Sequence, residues 1–396
     1  MADLGLSPVA NDYVDPAKYQ AGEPFYPLEA YVCRSCRLVQ TQDVLKADEI
    51  FRADYAYFSS HSTSWLEHAK TYVDGMVERF GLKPERHHMI EVASNDGYLL
   101  QFAKARGIRA LGIEPCESVA LAAREKGIDT RISFFGTSFA QGLAREGLHA
   151  DLLTANNVLA HVPDINDFVG GVAAVLSPEG VATFEIQHLL KLMQRHQFDT
   201  IYHEHFSYLS LIAGQKIFEK AGLRVFDVEE LETHGGSIRF FVCRKDASHA
   251  KTDRVAQVLK AELDYGLDSD RAYQAWGEAV KETKRALLDV LIDLKRQGKT
   301  IVGYGAPAKG VTLLNYCGIG RDFLDYTVDK APSKIGRYFP GVRLPILAPE
   351  TIFETKPDYI LILPWNLKNE IKAQLRGARE WGAKFIIPVP DAQIED

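Results

Sequence analysis

Met89-Ile90-Glu91-Val92-Ala93-Ser94-Asn95-Asp96-Gly97 is the stretch that decides the fold. A short apolar run gives way to small polar residues, and a helical run from Tyr98 to Ala105 follows. Strand, tight loop and helix in that order form the repeating unit of parallel sheets, because parallel partners need a crossover connection. The grammar returns downstream. Ala110-Leu111-Gly112-Ile113 ends in Glu114-Pro115, and residues 151–154 and 181–186 read as further strands. The expected class is α/β, a parallel sheet with helices on both faces, over residues 61–250 and closing with a strand at 237–242.

Residues 1–60 form a separate segment, irregular over 1–30, where Pro8, Pro16, Pro24 and Pro27 interrupt any period. A helix is expected over about 64–80, with Trp65, Tyr72, Met76 and Phe80 on one side. Residues 251–297 read as a charged helical connector whose stripe includes Val258, Leu259, Leu263, Leu287, Leu288 and Leu291. A second Rossmann-like unit fills 298–396, with strands near 299–304, 326–328, 359–363 and 384–388.

The 396 residues suffice for two or three domains with full cores. With 46% hydrophobic and 25% charged residues the composition is that of a globular protein. A net charge of −7 argues against a dedicated nucleic-acid binder. No apolar run approaches the ~20 residues of a membrane span, and residues 1–25 lack the apolar core of a signal peptide. The expectation is a cytoplasmic enzyme or binding protein. Five cysteines in so long a chain are no disulfide framework.

Residues 91–97 place small residues at a strand end, where unpaired amides point at a ligand. Glu114 ends the next strand, 17 residues beyond Gly97, where a carboxylate can accept both hydroxyls of a ribose. Asn156-Asn157 ends a third strand, with His161 just after. An acidic loop without a long glycine-rich pyrophosphate turn favours S-adenosylmethionine over NAD. The bland alternative is a generic turn in which Asp96 caps a helix.

Phe198-Asp199-Thr200-Ile201-Tyr202-His203-Glu204-His205-Phe206 is the densest titratable stretch. His205 or His203 can take a proton near neutral pH, Glu204 can tune an imidazole, and Tyr202 can donate to an oxyanion. A surface turn of polar residues is the competing reading. The spacing of His203 and His205 does not suit a helical zinc pair.

Gly303-Tyr304-Gly305-Ala306-Pro307-Ala308 is a G-x-G-x-x-A turn, with Asp329 24 residues past Gly305. Alone it suggests a dinucleotide fingerprint. Pro307 and Lys309 are unusual there, and Lys309 can instead neutralise a diphosphate, aided by Lys330, Lys334 and Arg337.

Together these residues resemble the S-adenosylmethionine-dependent sugar C-methyltransferases that act on nucleotide-linked 4-keto-deoxysugars. The resemblance spans residues 20–396. Its motifs are E-V-A-S-N-D-G (91–97), G-I-E-P (112–115), N-V-L-A-H-V-P (157–163), F-D-T-I-Y-H-E-H-F (198–206), H-G-G-S-I-R (234–239), V-G-Y-G-A-P-A-K (302–309) and P-W-N (364–366). It implies a small zinc-binding segment, a class I methyltransferase domain and a C-terminal domain that helps bind the nucleotide-sugar. By the same resemblance His205 is the base, supported by Tyr202 and Glu204, while His161 and Tyr57, of Tyr55-Ala56-Tyr57, line the sugar pocket. The expected chemistry is removal of the C3 proton by His205, with Tyr202 or His161 stabilising the enolate, before methyl transfer. Glu91, Ser94, Asn95, Asp96, Gly97, Glu114, Pro115 and Asn157 are the expected cofactor contacts. Gly305, Ala306, Lys309, Asp329, Lys334, Trp365 and Asn366 are the expected substrate contacts.

One departure stands out. The family's zinc segment uses two CxxC pairs, and only Cys33 and Cys36 are present here, with His61 open as a third ligand. A complete four-cysteine site is therefore not expected, and Cys116, Cys243 and Cys317 read as packing residues. Two rival functions remain: an NAD-dependent oxidoreductase built on residues 303–308 and Asp329, and a non-catalytic nucleotide-sugar-binding protein.

Overall fold

The computed structural model describes residues 1–45 and 58–396. Tyr55, Tyr57 and the side chain of His61 lie outside the described residues. Three sheets carry the fold. The middle one has seven strands in the spatial order Leu223–Leu231, Ser237–Arg244, Leu176–Gln187, Ala150–Asn156, His88–Val92, Arg109–Ile113, Asp129–Arg131. Five run parallel, and the Leu223–Leu231/Ser237–Arg244 hairpin closes one edge antiparallel. The chain order reverses between His88–Val92 and Ala150–Asn156, and ligands of open α/β sheets bind in the crevice at such a switch point.

The strands form where apolar runs are buried on both faces. Met89, Ile90, Leu111, Ile113, Leu152 and Leu153 are all nearly inaccessible. Thr63–Phe80 is a helix, begun by the Ser62 hydroxyl accepting from Trp65 N and ended by Gly81 at φ 58°. It buries Tyr72, Val73 and Met76 on the sheet.

The C-terminal sheet has the order Ile346–Leu347, Thr327–Val328, Ile301–Tyr304, Tyr359–Ile362, Lys384–Ile387, Gln393–Glu395. All pairs are parallel except the last. The third sheet corrects the expectation that residues 1–30 are irregular. Ala2–Ser7, Tyr26–Val32 and Val39–Thr41 pair antiparallel, and Ser207–Tyr208 completes the set. The prolines did not forbid these strands, because Pro8, Pro16 and Pro24 fall outside them and Pro27 sits near the start of its strand.

The connector is two helices, Asp253–Tyr265 and Asp270–Arg296. Val255 and Val258 of the first join the core of the middle sheet, so the expected boundary at 250 cuts through one core. Leu287 and Leu291 of the second pack with the C-terminal and N-terminal sheets, whereas Leu263 points to solvent, 44% exposed.

The loop after His88–Val92 is conformationally strained. Ala93 (φ 53°) and Asn95 (φ 49°) are left-handed non-glycine residues, a conformation costing about 1 kcal/mol or more each that persists where surrounding contacts enforce it. The contacts are visible. Asn95 N donates to Glu114 Oε2 at 2.9 Å, Ser59 N donates to Asn95 Oδ1 at 2.8 Å, and Lys126 Nζ donates to Asp96 Oδ2 at 2.8 Å. Gly112 leaves room for the loop, since a Cβ there would lie 2.4 Å from Ser94 Oγ. Gly112→Ala is expected to cost about 1–3 kcal/mol of stability by overpacking. Gly142→Ala, whose Cβ would meet nothing within 4 Å in the Thr137–Arg145 helix, should be neutral or slightly stabilising. Urea unfolding of both variants checks this.

Candidate active site

A cavity of about 730 Å³ opens at the switch point. Its wall is drawn from the N-terminal segment (Asn11), the middle domain (Asn95, Glu114, Asn157, His161, His205) and the C-terminal domain (Lys309, Lys334).

At one end, Glu114 and Pro115 line the wall. Cys116 N donates to Glu114 Oε1 at 2.8 Å and Asn95 N to Oε2, which fixes the carboxylate in the cavity. Burial raises the Glu114 pKa and these amides oppose it. Asn157, at φ 55°, donates its N–H to Glu185 O at 2.7 Å and also lines the wall. Asn95, Glu114, Pro115 and Asn157 thus face the cavity. Glu91, Ser94, Asp96 and Gly97 stand behind it. Ser94 packs under Gly112, Gly97 lies against Ile128, and Asp96 is pinned by Lys126 and Ser60. Glu91 is fully buried, and desolvation drives its pKa well above the ordinary carboxylate value.

At the other end stands the titratable stretch, folded into the protein and not a surface turn. His205 Nδ1 lies 2.9 Å from Thr200 O, a carbonyl that can only accept, so Nδ1 carries the proton and Nε2 the lone pair. Tyr202 Oη is 2.8 Å from Nε2 and donates to it. His161 sits edge-on to His205 with ring centroids 4.6 Å apart, and its Nδ1 donates to Glu204 O at 2.8 Å. Burial, then the neighbouring His161, hold His205 well below the usual imidazole range. Burial likewise lowers His161 to about 4. Both rings are neutral at pH 7. Glu204 moves the opposite way: desolvation pushes it up to about 7, although Asn11 Nδ2 donates to Oε1 at 2.6 Å. His203 is directed elsewhere, its Nε2 3.1 Å from Pro27 O and its ring against Tyr26.

Among the cavity residues to which the sequence reading gave no role are Asn11 and His234. Asn11 gave no signal in a proline-rich segment. His234 belongs to the H-G-G-S-I-R motif but had no role. It is left-handed (φ 54°) and stands edge-on to Trp65. Thr233 beside it donates to Glu185, whose other oxygen pairs with His68 and Arg239.

In the C-terminal domain, Lys309 and Lys334 line the cavity; Gly305, Ala306, Asp329, Trp365 and Asn366 do not. The glycine turn does not match a dinucleotide site. The space above Gly305 is filled by Pro364, which a Cβ would approach to 2.5 Å, where a fingerprint turn admits pyrophosphate. Asp329 accepts from Ala306 N at 2.6 Å and Ala331 N at 2.8 Å, so the ribose acid of the oxidoreductase reading is engaged by its own backbone.

A sheet with this switch-point cavity and acid-anchored loop defines a methyltransferase of the Rossmann-like α/β class. Family models agree: "Methyltransferase domain" matches residues 65–228, "C-methyltransferase C-terminal domain" 232–390 and "Putative zinc binding domain" 1–51. The chain is 35% identical over 395 residues to the C-methyltransferase NovU of Streptomyces niveus, covering 100% of this chain and 93% of that one. The chain belongs to the C-methyltransferase family and is an S-adenosylmethionine-dependent enzyme. Among solved structures, the PH0226 protein of Pyrococcus horikoshii OT3 is similar at TM-score 0.40, with 14% identity over 50% of this chain and 99% of that one. Magnesium protoporphyrin IX methyltransferase of Synechocystis PCC 6803 is similar at TM-score 0.34, with 15% identity over 51% and 92%. Likenesses this weak carry no weight for the site.

Zinc fits poorly. Cys33 and Cys36 are the only cysteines of residues 1–51, and among the described residues no group of three or more His, Cys, Asp or Glu could hold a metal. Two thiolates fall short of a four-coordinate structural site.

Glu204 supplies a test with a definite sign. A carboxyl whose folded pKa is raised favours the folded state's proton, so stability is lost as pH rises from the unfolded value near 4.5 through about 7. Glu204→Gln is expected to be near neutral at pH 4.5 and to stabilise by on the order of 3 kcal/mol at pH 8. Urea melts of both proteins across pH 4.5–8 check it. A constant difference would show that Glu204 is not held as the acid.

Proposed function

We propose that the chain methylates a carbon beside a ketone, C3 of a nucleotide-linked 4-keto-deoxysugar, through an enolate. One observation carries the reading: a neutral imidazole, His205, shares a single cavity with the Glu114 loop and two lysines. Glu114 and Asn157 would hold the ribose and amino-acid parts of S-adenosylmethionine. The larger remainder of the cavity suits a hexose, with cationic Lys334 toward its diphosphate. The relationship to NovU, named a C-methyltransferase, supports carbon as the acceptor.

A ketone acidifies the adjacent C–H, so a modest base suffices once the oxygen is stabilised. The proton leaves carbon for the Tyr202–His205 pair, with His205 Nε2 its holder. The enolate carbon then attacks the sulfonium methyl; the C–C bond forms as the C–S bond breaks, and S-adenosylhomocysteine leaves. Much of the rate gain comes from holding donor and acceptor in line. His161 and Glu204 shape this proton network, and Tyr57 is proposed as a further sugar contact.

His205→Asn is expected to abolish turnover while S-adenosylmethionine binding, measured by calorimetry, stays within threefold of wild type. Product mass spectrometry over a panel of nucleotide-linked 4-keto sugars, seeking the gain of one CH₂, identifies the acceptor. Normal turnover by the variant would remove His205 from the base role.

A further inference from the structure

We propose that Lys309, carried by the C-terminal domain, is a catalytic residue whose ammonium group holds the developing enolate oxygen, an assignment that rests on the enolate reading above.

The reason lies in which groups around the base have protons to give. Tyr202 donates its hydroxyl proton to His205 Nε2. The Nδ1–H of His161 goes to Glu204 O, and that of His205 to Thr200 O. With both rings neutral, their remaining nitrogens are acceptors. A cluster of acceptors suits proton removal from carbon, but it repels the oxyanion that results. The missing complement is a donor with positive charge.

Lys309 supplies it. Its Nζ lies 2.9 Å from Asn366 Oδ1 and 4.3 Å from the centre of the Trp365 ring, and an ammonium has three N–H donors. Its charge presses on both His205 and His234, lowering their proton affinity. A cation beside a general base weakens that base. The placement assists catalysis only if the same cation stabilises the other product of proton transfer, the enolate. Lys334 shows no such influence on these rings. It donates to Ala306 O at 2.8 Å and stands over Tyr13, which leaves it the part of diphosphate ligand.

Behind Lys309 stands Asp199. It is fully buried, accepts from Trp365 Nε1 at 2.6 Å and has its other oxygen without a hydrogen-bond partner. Burial pushes Asp199 up to about 6, with Lys309 opposing, so it is mainly an anion at neutral pH. Burial lowers the pKa of Lys309, and Asp199 opposes this in favour of the charged lysine. Asp199 is thus a positioning residue. The cluster joins three motifs, 198–206, 302–309 and 364–366, that lie far apart in the chain.

The test separates enolate formation from methyl transfer. Enzyme and a nucleotide-linked 4-keto sugar are incubated in D₂O with S-adenosylhomocysteine, and deuterium uptake at the α-carbon is followed by mass spectrometry. Lys309→Met is expected to lower uptake and kcat by about 10²–10³-fold, as for loss of one oxyanion donor, with KM within threefold. Lys334→Met should place its loss in KM. Asp199→Asn should move the alkaline limb of kcat to lower pH. The groups facing Lys309 are Asp199, Asn366, Trp365, His205 and His234, and a packing defect alone would leave that limb in place. Lys309→Gln repeats the measurement should the Met variant fail to fold. Uptake by Lys309→Met at more than a third of the wild-type rate, or a loss confined to KM, overturns the proposal. No uptake by wild type from any 4-keto sugar refutes the enolate reading itself.

Discussion

Residues 198–208 cross the interior with little regular structure, and a buried backbone of that kind is stable only if its N–H and C=O groups find partners. The partners come from every part of the molecule. Phe206 N donates to Ala160 O at 2.7 Å, Thr312 Oγ1 donates to Ile201 O at 2.8 Å, and Thr41 Oγ1 donates to His205 O at 2.8 Å. Ser207–Tyr208 adds a strand to the N-terminal sheet, and Asp199 anchors Trp365. The segment carrying His205 is therefore held by the middle, C-terminal and N-terminal parts at once.

That arrangement dictates the electrostatics. A segment buried from three sides takes its ionisable groups out of water, and burial shifts Asp199, Glu204 and His205 toward their neutral forms. His161 and His205 are neutral bases, while Glu204 titrates near neutrality. Burial lowers the pKa of Lys309 as well, and Asp199 opposes that loss of charge. The cavity thus sets neutral imidazoles, His161 and His205, beside Lys309 and Lys334.

Much of this was legible in the sequence, for identifiable reasons. The parallel strands announce themselves because burial on both faces demands continuous apolar runs such as 89–92 and 359–363. The gathering of Tyr202, Glu204 and His205 was legible because titratable residues crowd into 198–206, and His161 joins them at the cavity. The N-terminal strands were not. Ala2–Ser7 has no apolar run, and its pairing with Tyr26–Val32 is a tertiary choice that local pattern does not encode. Asn11 depends on the same long-range closure. Nor could spacing tell His203 from His205; the difference is one of facing, with His203 turned to Pro27 and His205 to the cavity.

The N-terminal segment is tied to the rest of the fold around its Cys33–Cys36 turn. The turn of Cys33–Cys36 is closed by Cys33 N donating to Leu38 O and Arg37 N donating to Cys33 O, each at 2.9 Å. Arg37 reaches Asp270 at 2.6 Å, and Lys216 donates to Ser35 O at 2.8 Å, so helices from two other parts of the chain clamp it. The turn leads directly into Val39–Thr41, the strand that pairs with Tyr208 and whose Thr41 holds the His205 carbonyl. Hydrogen bonds and ion pairs to neighbouring helices brace the turn and, through it, residues 205–208, so the segment acts as a strut for the loop that carries His205.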